Sequence, residues 1–211
     1  APPLWLTPSP DLRKIVTSAV WERIPPMMDS QAPQTASDFR FLDSEADRQT
    51  LITDIRRVRQ NVTQLIEALP ADKVYVPRYH GWTPAAMLAH LHLNDNVSLM
   101  AIKLALAGLP VPVSSGLWDQ FNDAAARLFA RRVLETTLRG IKANEKRITD
   151  FVLQVPVKGF SKRFYYPPIN RYITVEQALQ VLFLHHWQQH LRTIEGAEGY
   201  FYEPPSNPTL V

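Results

Sequence analysis

Apolar residues recur at steps of three and four along four long stretches of the chain, which is the spacing of one face of an α-helix. Asp43 or Ser44 can cap the first stretch, and Pro70 closes it. Its apolar positions are Leu51, Ile55, Val58, Val62, Leu65 and Leu69. The basic cluster at residues 56–59 is expected to lie on a solvated face. The pattern predicts a helix of a bundle.

The second and third stretches have equally clear boundaries. Thr83 followed by Pro84 is typical of a helix start, and Gly108 lies just after the expected end of the second helix. A loop and then a short helix over residues 118–131 are predicted before the third helix. Pro156 ends the third helix, whose apolar positions are Leu134, Leu138, Ile141, Ile148 and Val152.

A fourth helix is predicted near the C-terminal end of the sequence. Thr174 and Gln177 have the spacing of a capping box, which marks its start. One face of this helix then carries Leu179, Phe183, His186, His190 and Ile194. Residues 162–166, just before it, are expected either to pair as a short strand or to line the mouth of a pocket.

The two ends of the sequence differ from the helical part. Prolines interrupt residues 1–42, which predicts an extended N-terminal arm with a short helix over residues 11–24. The apolar residues of this arm favour packing on the domain or on a second subunit of a homodimer. Residues 201–211 are predicted to be a tail. The predicted fold is all-α, an up-and-down four-helix bundle over residues 43–200.

Composition excludes several classes of function. The net charge of the 211 residues is +3, and no basic run is interleaved with aromatic residues, so nucleic-acid binding has no support. Without cysteine there are no disulfides, thiolate metal ligands or thiol nucleophiles. No apolar run approaches the ~18 residues of a membrane span. The first residues lack the basic region and apolar core of a signal peptide, and we expect a cytoplasmic protein.

His186 and His190 occupy positions where the pattern requires core residues. Four residues on a helix correspond to about 6 Å of rise and about 40° of rotation, so both rings can face one point. Histidine is the commonest metal ligand, and His90 on the second helix offers a third nitrogen. The alternative is core histidines that bond to the backbone or to polar neighbours. A shared ion requires the rings of His90 and His186 to lie within ~8 Å of each other.

Three imidazoles without thiolates favour a divalent metal with an open coordination position. Zinc is the first expectation, while nickel, iron or manganese also bind imidazole.

Two segments resemble signatures of the DinB/YfiT-like superfamily. The first is Gly81-Trp82-Thr83-Pro84-Ala85-Ala86-Met87-Leu88-Ala89-His90-Leu91. The second is His186-Trp187-Gln188-Gln189-His190-Leu191-Arg192-Thr193-Ile194. With the spacing and helix order, the similarity covers residues 43–197. The resemblance implies the superfamily's four-helix bundle, with His90, His186 and His190 as metal ligands.

Other polar residues are weaker candidates. Glu145 falls on the apolar phase of the third helix, where it is either turned to solvent or a buried carboxylate that serves a site. His80 lies in a connector that can reach the rim of a cavity. Glu145 and His80 are therefore speculative candidates for proton transfer. His92 points to another side of the helix than His90, and Asn94, one turn after His90, can orient a ligand.

These observations predict a metal-dependent enzyme that acts on a small molecule. Thiol transfer with a low-molecular-weight thiol, isomerisation and hydrolysis all suit an open metal site, and the superfamily that the sequence resembles includes all three. The alternative is a non-catalytic, metal-stabilised bundle that binds a ligand or partner. An open fourth coordination position favours the enzyme, and a position closed by a protein side chain favours the structural role.

Overall fold

A computed structural model of the chain describes residues 39–79, 81–109, 129 and 132–198. The predicted arm up to residue 38, the tail, and the predicted helix over residues 118–131 apart from Phe129 lie outside the described residues. The described helices are α1 (Glu45–Glu67), α2 (Pro84–Leu106), α3 (Leu134–Gln154), α4 (Val157–Phe160), α5 (Val175–Gln180) and α6 (His186–Glu198). The described strands are β1 (Arg163–Tyr166) and β2 (Arg171–Thr174).

The predicted helix starts are confirmed by their caps. The Ser44 hydroxyl accepts an N–H from the first turn of α1, and Thr83 does the same for α2, with Pro84 in the first turn. At the start of α5, Thr174 and Gln177 form both bonds of the capping box. These side chains satisfy N–H groups that have no partner within the helix.

A short β-hairpin connects α4 to α5. Strands β1 and β2 are antiparallel, with Phe164 opposite Ile173, and Asn170 between them adopts a positive φ of 51°. The Phe164 side chain is buried against the bundle. Of the two alternatives for residues 162–166, the short strand is confirmed over Arg163–Tyr166, and its partner strand follows directly in the chain.

The fourth long helix is interrupted by a π-helical segment. Residues Val181–His185 connect α5 to α6, and the N–H of His186 bonds to the carbonyl of Val181, five residues earlier. The sequence predicted a regular helix here. A buried guanidinium explains part of the difference, because Arg59 donates a 2.8 Å hydrogen bond to the carbonyl of Phe183 inside this segment.

The four long helical segments do not alternate in direction throughout. The start of α1 meets the end of α3, so these two helices are antiparallel. In contrast, α2 and α3 are parallel: Tyr75, before α2, bonds the first N–H of α3, while Asn96 and Arg147 join the two helices at mid-length. The fourth segment is parallel to α1, because Leu42 before α1 bonds Glu176 and Arg59 in α1 bonds Phe183. The helices thus run up, down, down and up. The bundle is confirmed, and the expected alternation holds within the first pair and within the last pair.

The core lies between the four long segments, and each of them contributes apolar side chains. Representative buried residues are Leu51, Ile55, Met87, Leu91, Ile141, Ile148, Phe183 and Ile194. Helix α2 is buried on most of its sides over its first two turns. None of the described helices is both long and apolar enough to cross a membrane.

An ion pair lies inside this core. Arg59 donates to both carboxylate oxygens of Asp95 at 3.0 and 3.1 Å, and both side chains are only 1% exposed. Trp187 donates its indole N–H to Asp95 at 3.1 Å, and its ring packs against the Arg59 guanidinium. The prediction that the basic cluster lies on a solvated face is confirmed for Arg56 and Arg57 and is wrong for Arg59.

The residues just before α1 are held against α5. The backbone of Arg40 makes two 2.9 Å hydrogen bonds to the side chain of Gln180, one as donor and one as acceptor. Leu42 is fully buried, and its N–H donates to the carboxylate of Glu176 at 2.6 Å. The end of the predicted arm is therefore anchored on the helix that leads to the histidines.

Candidate metal centre

Three histidines from two helices converge between α2 and α6. Nε2 of His186 lies 3.3 Å from Nε2 of His90 and 3.1 Å from Nε2 of His190. The ring centroids of His90 and His186 are 5.3 Å apart, which meets the distance condition derived from the sequence. Among the described residues, these three form the group whose possible metal-binding atoms lie within 4.8 Å of one another. The structure therefore brings the predicted residues together.

The spacing of the three nitrogens suits a small divalent cation. Bonds of about 2.0–2.1 Å in a tetrahedral arrangement place two zinc-bound nitrogens about 3.3 Å apart. The two measured separations, 3.3 and 3.1 Å, agree with this value. Imidazole also suits nickel and iron, so the donor set alone does not select zinc. The role of the three residues as ligands stays a prediction.

Each ring is held in place by its helix and by aromatic packing. His186 and His190 stand one turn apart at the start of α6, so both project from the same face. His90 lies in the second turn of α2, and the Trp82 ring packs edge-on against it at 5.1 Å. Trp82 precedes the α2 cap, and its ring thus lies against a predicted ligand. The spacing of apolar residues in the sequence did not predict this contact.

Burial keeps all three imidazoles neutral at neutral pH. It lowers the pKa of His90 to about 3, with the nearby His190 adding to the effect, and it lowers the pKa of His190 to about 4. The pKa of His186 also falls well below its ordinary value, first because of burial and then because of the neighbouring His190, His90 and Arg59 charges. Neutral imidazole is the form that binds metals, so no ring of the cluster has to release a proton to solvent before it binds a cation.

The lowered pKa values predict an acid-sensitive metal-free protein. Between the ordinary histidine pKa of 6.5 and the folded-state value of about 3, the unfolded chain binds a proton that folded His90 does not. The effect of His90 is therefore that the free energy of unfolding is highest above pH 6.5 and decreases as the pH falls through this range. We expect a shallower decrease for His90→Leu, measured by urea unfolding in the presence of a chelator. Parallel curves for the two proteins would contradict this cause.

Polar groups behind the site fix the outer side of the His186 ring. The amide of Asn94 lies 3.0 Å from Nδ1 of His186, on the side away from the other two histidines. The buried Arg59–Asp95 ion pair is adjacent to this contact. Asp95 is the residue after Asn94, and Trp187, which donates to Asp95, is the residue after His186. Sequence spacing placed Asn94 near the site, but it did not reveal the buried ion pair.

Glu145 and His92, two of the weaker candidates, make their described contacts away from the three-histidine cluster. Glu145 is half-buried and pairs with Arg56 of α1 at 3.4 Å, so its described partner is a guanidinium and not a histidine of the cluster. His92 turns toward α3, where its ring fills the space beside Gly140. His185 packs edge-on against Phe39. His80 lies outside the described part of the chain, so its role in proton transfer stays a prediction.

The fold and site define a four-helix-bundle protein with a cluster of three histidines spaced for a metal ion. The sequence model of the DinB superfamily matches residues 54–194, and the chain belongs to that superfamily. Among solved structures, YfiT from Bacillus subtilis has a similar fold and is described as a probable metal-dependent hydrolase with an unusual four-helix bundle topology. The similarity covers 75% of this chain and 91% of YfiT, at 21% identity and a TM-score of 0.59. No curated protein matches the sequence significantly.

Proposed function

We propose that the protein is a metal-dependent enzyme that acts on a small molecule at an open three-histidine site. Hydrolysis is the first reaction to test, and thiol transfer and isomerisation follow. Zinc is the proposed metal. A low-molecular-weight thiol as cosubstrate, a homodimer and a cytoplasmic location also belong to this proposal.

The observation that carries the proposal is the convergence of three neutral nitrogens from two helices. Three protein ligands leave at least one position of a four-coordinate ion for a substrate, and this is the pattern of catalytic zinc sites. A bound divalent ion would supply Lewis acidity, which activates a water or thiol nucleophile and polarises a carbonyl group. The description of YfiT as a probable metal-dependent hydrolase is a reason to test hydrolysis first.

The residues of the chain have separable roles in this proposal. His90, His186 and His190 hold the ion, and their low pKa values keep each ring near neutral pH in the uncharged form that binds metals. Trp82 packs against His90, so it limits the rotation of that ring and contributes an apolar surface beside the ion. Glu145, which pairs with Arg56, and His80 stay the predicted candidates for proton transfer.

The second candidate is a non-catalytic bundle in which a metal only stabilises the fold. The burial of His90 and His190 favours it, because a metal bound by deeply placed ligands stabilises the folded state through its binding free energy. The two candidates differ in the fourth coordination position. An enzyme requires an exchangeable position, whereas a structural site is closed by the protein.

Cobalt(II) in place of zinc tests this difference directly. We expect one equivalent of cobalt to produce a visible absorption band, and we expect a small thiol or a hydroxamate to shift that band by entering the open position. An unchanged spectrum at saturating thiol and hydroxamate would support the structural role.

The reaction itself is tested with the zinc-loaded protein. We expect hydrolysis of at least one member of a panel of small amides and esters, loss of that activity with a chelator, and recovery with zinc. His190→Ala should be inactive, while His92→Ala, which changes a histidine outside the cluster, should retain activity. If the protein transfers a thiol to the substrate in place of water, the reaction is a thiol transfer and not a hydrolysis, but the protein is still a metal-dependent enzyme.

A further inference from the structure

Asn94 contacts the side of His186 that is opposite the predicted metal. It lies one helical turn after His90 on α2 and is only 7% exposed. Its side-chain nitrogen Nδ2 is 3.0 Å from Nδ1 of His186, whereas Nε2 of the same ring faces His90 and His190. One buried amide therefore contacts Nδ1 of His186. Because a neutral ring carries a single proton, a proton on Nδ1 leaves Nε2, the predicted metal-binding nitrogen, with a lone pair.

The direction of this hydrogen bond determines which nitrogen of His186 carries a proton. A neutral imidazole has one N–H and one lone pair. When Nδ2 of Asn94 donates to Nδ1, the ring proton must be on Nε2, where it can donate to Nε2 of His190, 3.1 Å away. In this arrangement Nε2 of His186 has no lone pair for a metal.

Reversal of the amide produces the opposite arrangement within the same space. A half-turn of the Asn94 amide exchanges Nδ2 for Oδ1, an atom of nearly the same size. Oδ1 can only accept, so Nδ1 of His186 must then carry the proton and donate it. The lone pair of Nε2 is thereby directed at the centre of the cluster, as metal binding requires.

We propose that Asn94 is a positioning residue of the metal centre, and that its amide oxygen accepts the Nδ1 proton of His186 when the ion is bound. In the metal-bound protein it accepts from Nδ1 and holds the Nε2 lone pair toward the ion. This inference rests on the proposed three-histidine metal site.

Two substitutions of Asn94 separate this role from simple packing. Asn94→Leu has a similar shape and no polar atoms, and we expect it to weaken zinc binding about 10-fold to 100-fold. Asn94→Asp can only accept, so at neutral pH it should bind zinc at least as tightly as the wild-type protein. The measurement is competition for zinc with a chromophoric chelator. The matched controls are the same two substitutions at Asn96, which bonds His92 and Arg147, and they should leave zinc affinity unchanged.

Nitrogen NMR of the histidine side chains supplies a readout that packing alone would not change. We expect His186 to carry its proton on Nδ1 in the zinc-bound protein, and we expect this preference for Nδ1 to be weaker in Asn94→Leu. In Asn94→Asp the proton should be on Nδ1 already in the metal-free protein. Thermal unfolding verifies that each variant is folded.

The outcomes distinguish this inference from the proposed site. Zinc bound stoichiometrically by the wild-type protein, with equal affinity in Asn94→Leu, would overturn the role of Asn94 and leave the site intact. Zinc affinity in Asn94→Asp as low as in Asn94→Leu would overturn the acceptor role. A wild-type protein that binds no zinc would overturn both the site and the inference.

Discussion

Replacement of His186 by alanine is expected to weaken zinc binding by about 100-fold to 1,000-fold. Apparent binding free energies of structural zinc sites, about 10–16 kcal/mol for four ligands, correspond to about 2.5–4 kcal/mol per ligand. His186 has the central place in the cluster, because its Nε2 lies within 3.3 Å of the Nε2 atoms of both His90 and His190. Its loss leaves two nitrogens, which cannot retain a zinc ion against a competing chelator.

The adjacent His185 provides a matched control. Its ring packs edge-on against Phe39 at 5.9 Å, and its Nδ1 is 3.2 Å from the side-chain oxygen of Gln188. His185→Ala therefore removes the same kind of side chain, one position away, without touching the cluster. Zinc affinity is measured by chelator competition at neutral pH, together with the rise in melting temperature on adding zinc. Equal zinc affinity in the two variants would exclude His186 from the site.

Helical spacing predicted part of the three-histidine cluster. His186 and His190 are one turn apart, and this spacing alone indicates a shared direction. His90 required knowledge of how two helices face each other, which spacing does not contain. The resemblance to the DinB/YfiT-like superfamily supplied that relation, and the 3.3 Å separation between His90 and His186 agrees with it.

The π-helical segment was not predictable from the same pattern. Leu179 and Phe183, on either side of its start, are buried as the regular spacing required. An insertion of this kind depends on a partner for the displaced backbone, and here one such partner is the guanidinium of Arg59 from another helix. Contacts between distant parts of the chain are absent from a local pattern of apolar residues.

The prediction of a solvated face was wrong for Arg59, which follows two exposed arginines. A signal for its burial was nevertheless present: Arg59 lies seven residues after Ile52 and seven before Ile66, on one stripe of α1, and both isoleucines are buried. Asp95 has the same relation to the buried Leu88 and Ile102 of α2. Opposite charges on the buried stripes of two helices indicate an internal ion pair more specifically than the composition of a basic cluster does.

Loss of the Asp95 carboxylate is expected to cause a large loss of stability. Asp95→Ala should lower the free energy of unfolding of the metal-free protein by about 3–5 kcal/mol, because it leaves the buried Arg59 charge without a partner. Burial raises the pKa of Asp95, while the Arg59 charge and the Trp187 hydrogen bond oppose this shift. The measurement is urea unfolding in the presence of a chelator.

Two further variants test whether the uncompensated charge is the cause. Asp54→Ala removes the carboxylate of a partly exposed pair with Arg40, which has the same 3.0 Å separation, and should cost about 1 kcal/mol or less. Arg59→Met combined with Asp95→Leu removes both buried charges and should recover much of the lost stability. Recovery must be incomplete, because the indole N–H of Trp187 then loses its acceptor, at a cost of about 1–3 kcal/mol. A double variant as unstable as Asp95→Ala would show that packing around Asp95, and not its charge, holds this part of the core together.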